Sequence, residues 1–174
     1  MEFSTDEAKR MANLYQFGIL DSRFEDRFDR LTRIASAIFG TPIALISLVD
    51  KDRQWFKSAT GLDVRQIARD ISFCTHAIQS PEVFMVNDAH EDSRFKSNPL
   101  VTGDPHVRFY AGAPLISQKG YALGTFCVID KAPRDDFSAD QQQLLKDLAA
   151  TVVDFFEMQL AIRQFRADER GAEK

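Results

Sequence analysis

The sequence lacks the features that mark several large classes of protein. Its 22 Lys and Arg residues form no run that could neutralise a line of phosphates, so nucleic acid is not an expected partner. No apolar stretch approaches the roughly 18 residues of a membrane-spanning helix, and the amino terminus lacks the basic and apolar regions of a signal peptide. We therefore expect a cytoplasmic protein with no membrane partner.

Cysteine is also scarce, because the chain holds only Cys74 and Cys127. Two cysteines are too few for a disulfide framework and fit a reducing compartment. The sequence contains no Gly-rich phosphate loop, nucleophile elbow or His-Glu metalloprotease helix. No acid, base and nucleophile are placed to act together, so we predict that the protein is not an enzyme and has no catalytic residues.

The composition that remains is that of one globular domain. Hydrophobic residues make up 44% of the chain and charged residues 28%, which is ordinary for a soluble fold. Fifteen Phe residues accompany one Trp and three Tyr, so much apolar area can be buried with few polar atoms to satisfy. With 174 residues, one substantial core is expected.

Three Ser-x-x-Glu/Gln patterns predict helix starts, at Ser4–Glu7, Ser22–Glu25 and Ser138–Gln141. After the second pattern, apolar residues recur at spacings of four and three until Gly40, which predicts a helix of about four turns. That apolar stripe comprises Phe24, Phe28, Leu31, Ala35 and Ile38. The third pattern opens a carboxy-terminal helix that should reach about residue 165 and is apolar around more than one face.

Between these helices the pattern changes to that of strands. Ile43–Val49 is a continuous apolar run, which predicts a central strand buried on both faces. The other predicted strands are Arg53–Ala59, Val83–Val86, Val107–Ile116 and Tyr121–Ile129. Hairpins connect most of them, so the predicted class is α+β with an antiparallel sheet.

The last hairpin has one mixed face. A four-residue loop pairs Ile116 with Tyr121 and Gly112 with Thr125, and the opposite face is then purely apolar. The mixed face carries Arg108, Tyr110, Gly112, Thr125 and Cys127. This composition is typical of a pocket floor with a few orienting polar groups. Alternatively, Arg108 pairs with a carboxylate at the sheet edge.

Six segments resemble the GAF domains of bacterial signalling proteins, in the family's order and over roughly residues 10–165. They are residues 28–32, 42–50, 53–58, 72–78, 108–115 and 124–130. The resemblance implies a GAF (PAS-like) fold with a central antiparallel sheet of five or six strands. Terminal helices should pack on one face, with a ligand pocket on the other. We divide the chain into an amino-terminal helix (1–20), the GAF domain with its carboxy-terminal helix (21–165) and a polar tail (166–174).

The same resemblance implies a sensory or regulatory role, exerted on a linked histidine kinase, diguanylate cyclase or phosphodiesterase. It names no ligand or cofactor. The cyclic-nucleotide signature of the family has no match here, and Cys74-Thr75-His76 departs from the adjacent Cys-His pair of bilin-binding members. The two cysteines do not reproduce the set used by methionine-sulfoxide-reducing members. The alternatives are a ligand-free dimerisation module and a Cys-dependent redox enzyme or chromophore-binding domain.

We expect one deep cleft, beside the long polar segment Asn87–Pro105 that Phe95 anchors. Its predicted ligand-binding residues are Trp55, Phe73, Cys74, His76, Asp88, Phe95, Arg108, Tyr110 and Cys127. Cys74 lies near the start of a short helix, which favours a thiolate, but we interpret it as a buried and slowly alkylated thiol. Cys74, His76 and Cys127 match no zinc-finger spacing, so no metal site is predicted.

The carboxy-terminal helix also predicts homodimerisation. Leu145, Val152 and Gln159 occupy one heptad position, and Leu148, Phe155 and Ile162 occupy another. A helix that is apolar over more than half its girth must be buried on two sides, so part of it should pack against a second copy. Alternatively, the amino-terminal helix covers the extra surface within one chain.

Overall fold

The computed structural model describes residues 2–172. The helices are α1 (Glu7–Phe17), α2 (Asp26–Phe39), α3 (Cys74–Ala77), α4 (Pro99–Thr102) and α5 (Ala139–Ala172). The strands are β1 (Ile43–Val49), β2 (Arg53–Thr60), β3 (Gln66–Ala68), β4 (Phe84–Val86), β5 (Phe109–Ile116) and β6 (Ala122–Asp130). Within the described range, no helix is long and apolar enough to cross a membrane.

The six strands form one antiparallel sheet in the order β3-β2-β1-β6-β5-β4. β1 is central and every one of its residues is buried, as its continuous apolar run predicts. The predicted α+β fold and antiparallel sheet are therefore confirmed. β3 has no counterpart among the predicted strands, because three residues are too few to show an alternating pattern.

Alternation along the strands builds two separate cores on the two faces of this sheet. The helix-side core lies under α1, α2 and α5 and includes Phe17, Phe28, Ile46, Trp55, Phe109, Phe126 and Phe156. The loop-side core lies under α3 and the segment before β5 and includes Leu45, Phe56, Phe73, Cys74, Phe95, Tyr110 and Cys127. The sheet thus separates a helical layer from a layer of loops and short helices.

The β5–β6 hairpin keeps its predicted faces but not its predicted register. Gly112 lies opposite Cys127, where Thr125 was expected, so the pairing is displaced by two residues. Ile116 pairs with Ala122 instead of Tyr121, and an irregularity between Pro114 and Ile116 adds the second residue, since the turn pattern alone does not reveal a bulge. A displacement of two residues leaves every side chain on its predicted face.

Only one of the three predicted capping boxes forms. Ser138 and Gln141 exchange hydrogen bonds, with the Ser138 amide donating to Oε1 at 2.8 Å and the Gln141 amide to Oγ at 3.2 Å. At the first helix, the Asp6 carboxylate accepts the Lys9 amide instead. The prediction at Ser22 is wrong because the buried ammonium of Lys57 takes its hydroxyl oxygen at 2.8 Å.

Helix α2 consequently starts at Asp26, and its buried face differs from the predicted apolar stripe. Its buried residues are Phe28, Thr32, Ala35 and Phe39, whereas Phe24 precedes the helix and is exposed. Ile38 is 52% exposed, which corrects its predicted place in the core. The helix has 14 residues, about four turns, and ends as predicted at Gly40, whose φ of 60° suits a residue without Cβ.

Helix α5 is longer than predicted. Its 34 residues span about 50 Å and continue as helix well past residue 165. The predicted polar tail, 166–174, is therefore helical as far as Ala172, and positions 173 and 174 lie outside the described residues. From Ala161 to Arg170 every side chain is exposed, so these ten residues add nothing to the core of one chain.

Candidate functional site

The most polar part of the loop-side core is centred on the sulfur of Cys74. Cys74 is 1% exposed and opens α3, one turn long. Ser72 stands before this helix, and its Oγ accepts the Thr75 amide at 3.3 Å. The short helix therefore holds the Cys74 side chain against the buried middle of the sheet.

Four polar side chains, one from each of four strands, contact this sulfur. They are Ser47 of β1 at 3.3 Å, Gln54 of β2 at 3.1 Å, Tyr110 of β5 at 3.1 Å and Thr125 of β6 at 2.9 Å. Cys127 of β6 lies within hydrogen-bonding reach as well. A neutral thiol accepts hydrogen bonds weakly, whereas a thiolate accepts them strongly, so the arrangement suits an anion.

The orientation of the Gln54 amide follows from its neighbour. Ser72 Oγ already accepts the Thr75 amide, so its single proton is free to go to Gln54 Oε1. With its oxygen engaged by Ser72, Gln54 presents its NH₂ group to Cys74. An amide NH₂ can only donate, so at this contact the sulfur is the acceptor.

Gly112 makes room for the phenol of Tyr110. A Cβ at position 112 would overlap the Tyr110 hydroxyl and the adjoining ring carbons. The glycine lies opposite Cys127 in the β5–β6 ladder. The phenol therefore lies over Gly112 of its own strand, next to the second cysteine. Any larger residue at 112 would displace the hydroxyl from Cys74.

These contacts separate the pKa values of the three acidic groups in the cluster. Burial raises the pKa of the Cys74 thiol, but hydrogen bonds from Cys127, Ser47, Thr125 and Tyr110 outweigh it and bring the pKa down to about 6. Burial and the neighbouring Cys74 charge raise the pKa of Tyr110 and of Cys127 well above their ordinary values. Of the three groups, Cys74 is therefore the one whose anion the surroundings favour.

Aromatic rings cover the cluster. Phe73 and Phe95 stack with ring centroids 4.1 Å apart, and Phe73 lies 5.3 Å from the Tyr110 ring. The His76 ring meets the edge of Phe95 at 4.9 Å, and burial together with the Arg94 charge lowers the pKa of His76. Phe95 thus holds the long segment against the sheet, in the role that the sequence predicts for it.

The structure brings most of the predicted site residues together but packs them closely. Phe73, Cys74, Phe95, Tyr110 and Cys127 are all at most 3% exposed, so the deep cleft expected between them is filled by their own side chains. A cleft of about 570 Å³ opens beside them instead. It is lined by Lys51, Asp52, Ala68, Arg69, Asp70, Ser72, Thr75 and His76.

Three predicted site residues lie elsewhere. Trp55 is in the helix-side core, because alternation along β2 turns it to the face opposite Gln54. Arg108 precedes β5 and forms two hydrogen bonds with Asp88, at 2.7 and 2.6 Å. This is the alternative in which Arg108 pairs with a carboxylate at the sheet edge, and the guanidinium lowers the pKa of Asp88 to about 2.

Sequence reasoning missed Ser47, Gln54 and Ser72. Ser47 is the one polar residue in an otherwise apolar buried strand, which was the available signal for it. Gln54 and Ser72 carried no such signal, because both stand in mixed segments. In the part of the chain that the structure describes, no three His, Cys, Asp or Glu residues are grouped to hold a metal ion.

Comparison with known proteins agrees with the fold and the segments quoted above. The sequence model of the GAF domain matches residues 23–153. A cyclic di-GMP phosphodiesterase of Pseudomonas aeruginosa is 44% identical over 151 residues, which is 87% of this chain and 26% of that protein. The chain therefore spans about a quarter of that relative's length.

Two solved structures show the shared fold at low sequence identity. The GAF domain of an Acinetobacter phosphoenolpyruvate-protein phosphotransferase superposes with a TM-score of 0.66 at 19% identity, covering 92% of this chain and 98% of that one. Free methionine-R-sulfoxide reductase of Neisseria meningitidis superposes with a TM-score of 0.64 at 17% identity, covering 91% and 96%. The chain belongs to the GAF domain family.

Proposed function

We propose that this GAF domain is a sensory or regulatory module that pairs with a second copy through α5 and passes its state to a linked output domain. The observation that carries the proposal is an apolar seam along α5, whose first half is partly buried against the helix-side core and whose second half is exposed. We call this set of residues the α5 seam. It comprises Leu144, Leu148, Thr151, Phe155, Met158, Ile162 and Phe165.

The α5 seam has the spacing of a coiled coil, with steps of four and three residues throughout. It contains Leu148, Phe155 and Ile162, which form one of the two predicted heptad positions. Leu145 and Val152, at the other predicted position, are fully buried in the helix-side core. The exposed seam residues Met158, Ile162 and Phe165 lie on a different face of the helix from Leu145 and Val152.

The amino-terminal helix does not cover the α5 seam. Phe17 ends α1 and contacts the buried ring of Phe156, and its carbonyl accepts a hydrogen bond from Arg163. Both contacts are on the sheet-facing side of α5. Beyond the domain body Met158, Ile162 and Phe165 remain 47%, 46% and 63% exposed, a self-complementary apolar surface that favours a second copy as occupant.

A phosphodiesterase is the output domain that we propose for this chain. The support is the Pseudomonas relative, whose name states that activity and of which the match covers only a part. A parallel pair of α5 helices would form a stalk leading from the domain toward such a partner. Small rotations of the stalk could then carry the signal, given two packings of the seam.

Sedimentation equilibrium tests the pairing directly. We expect a dimer for the wild type at micromolar concentration and a monomer for Ile162→Glu, because the substitution places a charge between Met158 and Phe165 in the exposed part of the seam. Gln164→Glu is the matched control: it adds the same charge on an exposed flank of the same turn and should stay dimeric. A monomeric wild type, or equal behaviour of the two variants, would contradict the proposal.

For the sensory input we propose a small molecule bound on the loop side, near His76 and the cleft beside α3. The close packing of Phe73, Phe95 and Tyr110 favours a second candidate, a dimerisation module without a ligand. Mass spectrometry of small molecules released from denatured protein separates the two. A stoichiometric metabolite that raises the melting temperature of the stripped protein supports the sensor, and its absence supports the second candidate.

A further inference from the structure

The buried Cys74 thiolate has no part in the α5 pairing or in the ligand proposal. We propose that Cys74 is a site of reversible oxidation by hydroperoxides, with Cys127 as the second thiol of an internal disulfide. The inference rests on the packing around the two sulfurs and stands independently of the proposed dimer.

The two cysteines lie close together because α3 packs against β6. Thr125 of β6 contacts the Cys74 sulfur, and Cys127 is on the same face of that strand, two residues further along. Both are buried, and both belong to the loop-side core. The Cys127 thiol is within hydrogen-bonding reach of the Cys74 sulfur, with the Tyr110 phenol above it and Gly112 opposite. Cys127 is the one other thiol of the chain, so we assign it the attack on an oxidised Cys74.

The donors around Cys74 suit the chemistry of its oxidation. Gln54 and Thr125 hold the sulfur as a nucleophile, at 3.1 and 2.9 Å. The hydroxyls of Tyr110 and Ser47 can shift their hydrogen bonds from the sulfur to a peroxide oxygen as negative charge develops on it. A buried cysteine among apolar side chains would have no donors to stabilise its thiolate and none to stabilise the negative charge on the peroxide oxygen.

We assign the approach of a small uncharged oxidant to the cleft of about 570 Å³ beside α3. This cleft is lined by Ser72, whose hydroxyl bonds to Gln54, and Gln54 contacts the sulfur. A layer formed by the Ser72 and Gln54 side chains thus separates the sulfur from the cleft on this path. Bulky alkylating reagents are held out by the same layer, which reconciles slow alkylation with oxidation by a hydroperoxide.

The reaction balances in two steps. The Cys74 thiolate attacks the distal oxygen of the hydroperoxide, forming an S–O bond as the O–O bond breaks, and the released alkoxide or hydroxide takes a proton from solvent. The Cys127 thiol then attacks the sulfenic sulfur, the disulfide forms, and the hydroxyl leaves with the Cys127 proton as water. Two thiols are oxidised by two electrons, and the hydroperoxide is reduced to an alcohol and water.

Hydrogen peroxide applied to the full chain, followed by peptide mapping, tests the proposal. We expect a Cys74–Cys127 disulfide in the wild type that dithiothreitol reverses. Cys127→Ser should instead accumulate a sulfenic acid at Cys74, trapped by dimedone. Ile162→Glu should oxidise like the wild type, so failure of the dimer and failure of the redox site are distinguishable.

Two results would overturn the proposal. One is a wild type that keeps both thiols under conditions that oxidise a free cysteine peptide. The other is a Cys74→Ser variant in which Cys127 is oxidised as fast as Cys74 is in the wild type. Tyr110→Phe gives a further readout, because loss of one donor should slow oxidation about tenfold at pH values below the new pKa.

Discussion

The two cores of this domain share one sheet but differ in what they bury. The helix-side core is built around phenylalanine rings, with Phe156 in contact with both Phe17 and Phe28. Its buried polar groups are bonded separately, as where the Lys57 ammonium pairs with Glu25. The loop-side core instead gathers polar groups from four strands around one sulfur. Buried polar groups are costly unless every one is bonded, so this convergence on Cys74 separates a chemical surface from a packing one.

The largest effect is expected on the helix side. Phe156→Ala should lower the free energy of unfolding by about 3–5 kcal/mol, because the ring is fully buried against Phe17 and Phe28 and its removal leaves a cavity. Urea denaturation measures this. A loss below about 1 kcal/mol would mean that this core repacks freely.

A smaller effect, with a chemical signature, is expected on the loop side. Tyr110→Phe removes one buried hydrogen bond to Cys74 and should cost about 1–2 kcal/mol while raising the pKa of the Cys74 thiol. Ultraviolet titration of the thiolate measures the pKa. Tyr121→Phe is the matched control, since Tyr121 lies outside the cluster. If the Cys74 thiol had the same pKa in the wild type and in Tyr110→Phe, the chemical role of the loop-side core would be contradicted.

The Asp88–Arg108 pair should show the smallest effect, with a defined pH window. Asp88→Asn should cost about 1 kcal/mol at neutral pH, because it removes a partly exposed pair with two hydrogen bonds. The folded pKa of Asp88 is lowered from 3.8 to about 2, so the carboxylate contributes fully above pH 4 and loses its contribution as pH falls toward 2. Thermal melts of the wild type and the variant should therefore converge over that interval. A difference that persists unchanged at the acid end would contradict this sign.

Regular features of the fold were predictable from local patterns. The apolar run of β1, the Gly40 helix end and the Ser138 capping box each depend on residues near one another in sequence. The faces of β5 and β6 were also correct, because a register error of two residues keeps the alternation. What failed was Ser22, whose hydroxyl is taken by Lys57 from a strand far along the chain.

The candidate site was only partly predictable for the same reason. Phe73, Cys74, Tyr110 and Cys127 stand in segments whose faces could be assigned, and the structure joins them. The convergence of Ser47, Gln54 and Thr125 on one sulfur depends on strand order, which no local pattern encodes. Trp55 was misplaced because the strand's facing was not assigned from sequence.

We expect the helix side to carry the pairing surface through which the domain acts, and site-directed crosslinking tests this most directly. In a parallel pair of α5 helices, a seam position meets its own copy. Phe165→Cys should therefore form an intermolecular disulfide rapidly under mild oxidation. Gln164→Cys, which is also exposed but lies outside the α5 seam, should not. Rapid crosslinking at 165 alone is the predicted result. Equal crosslinking at both positions, or at neither, would contradict it.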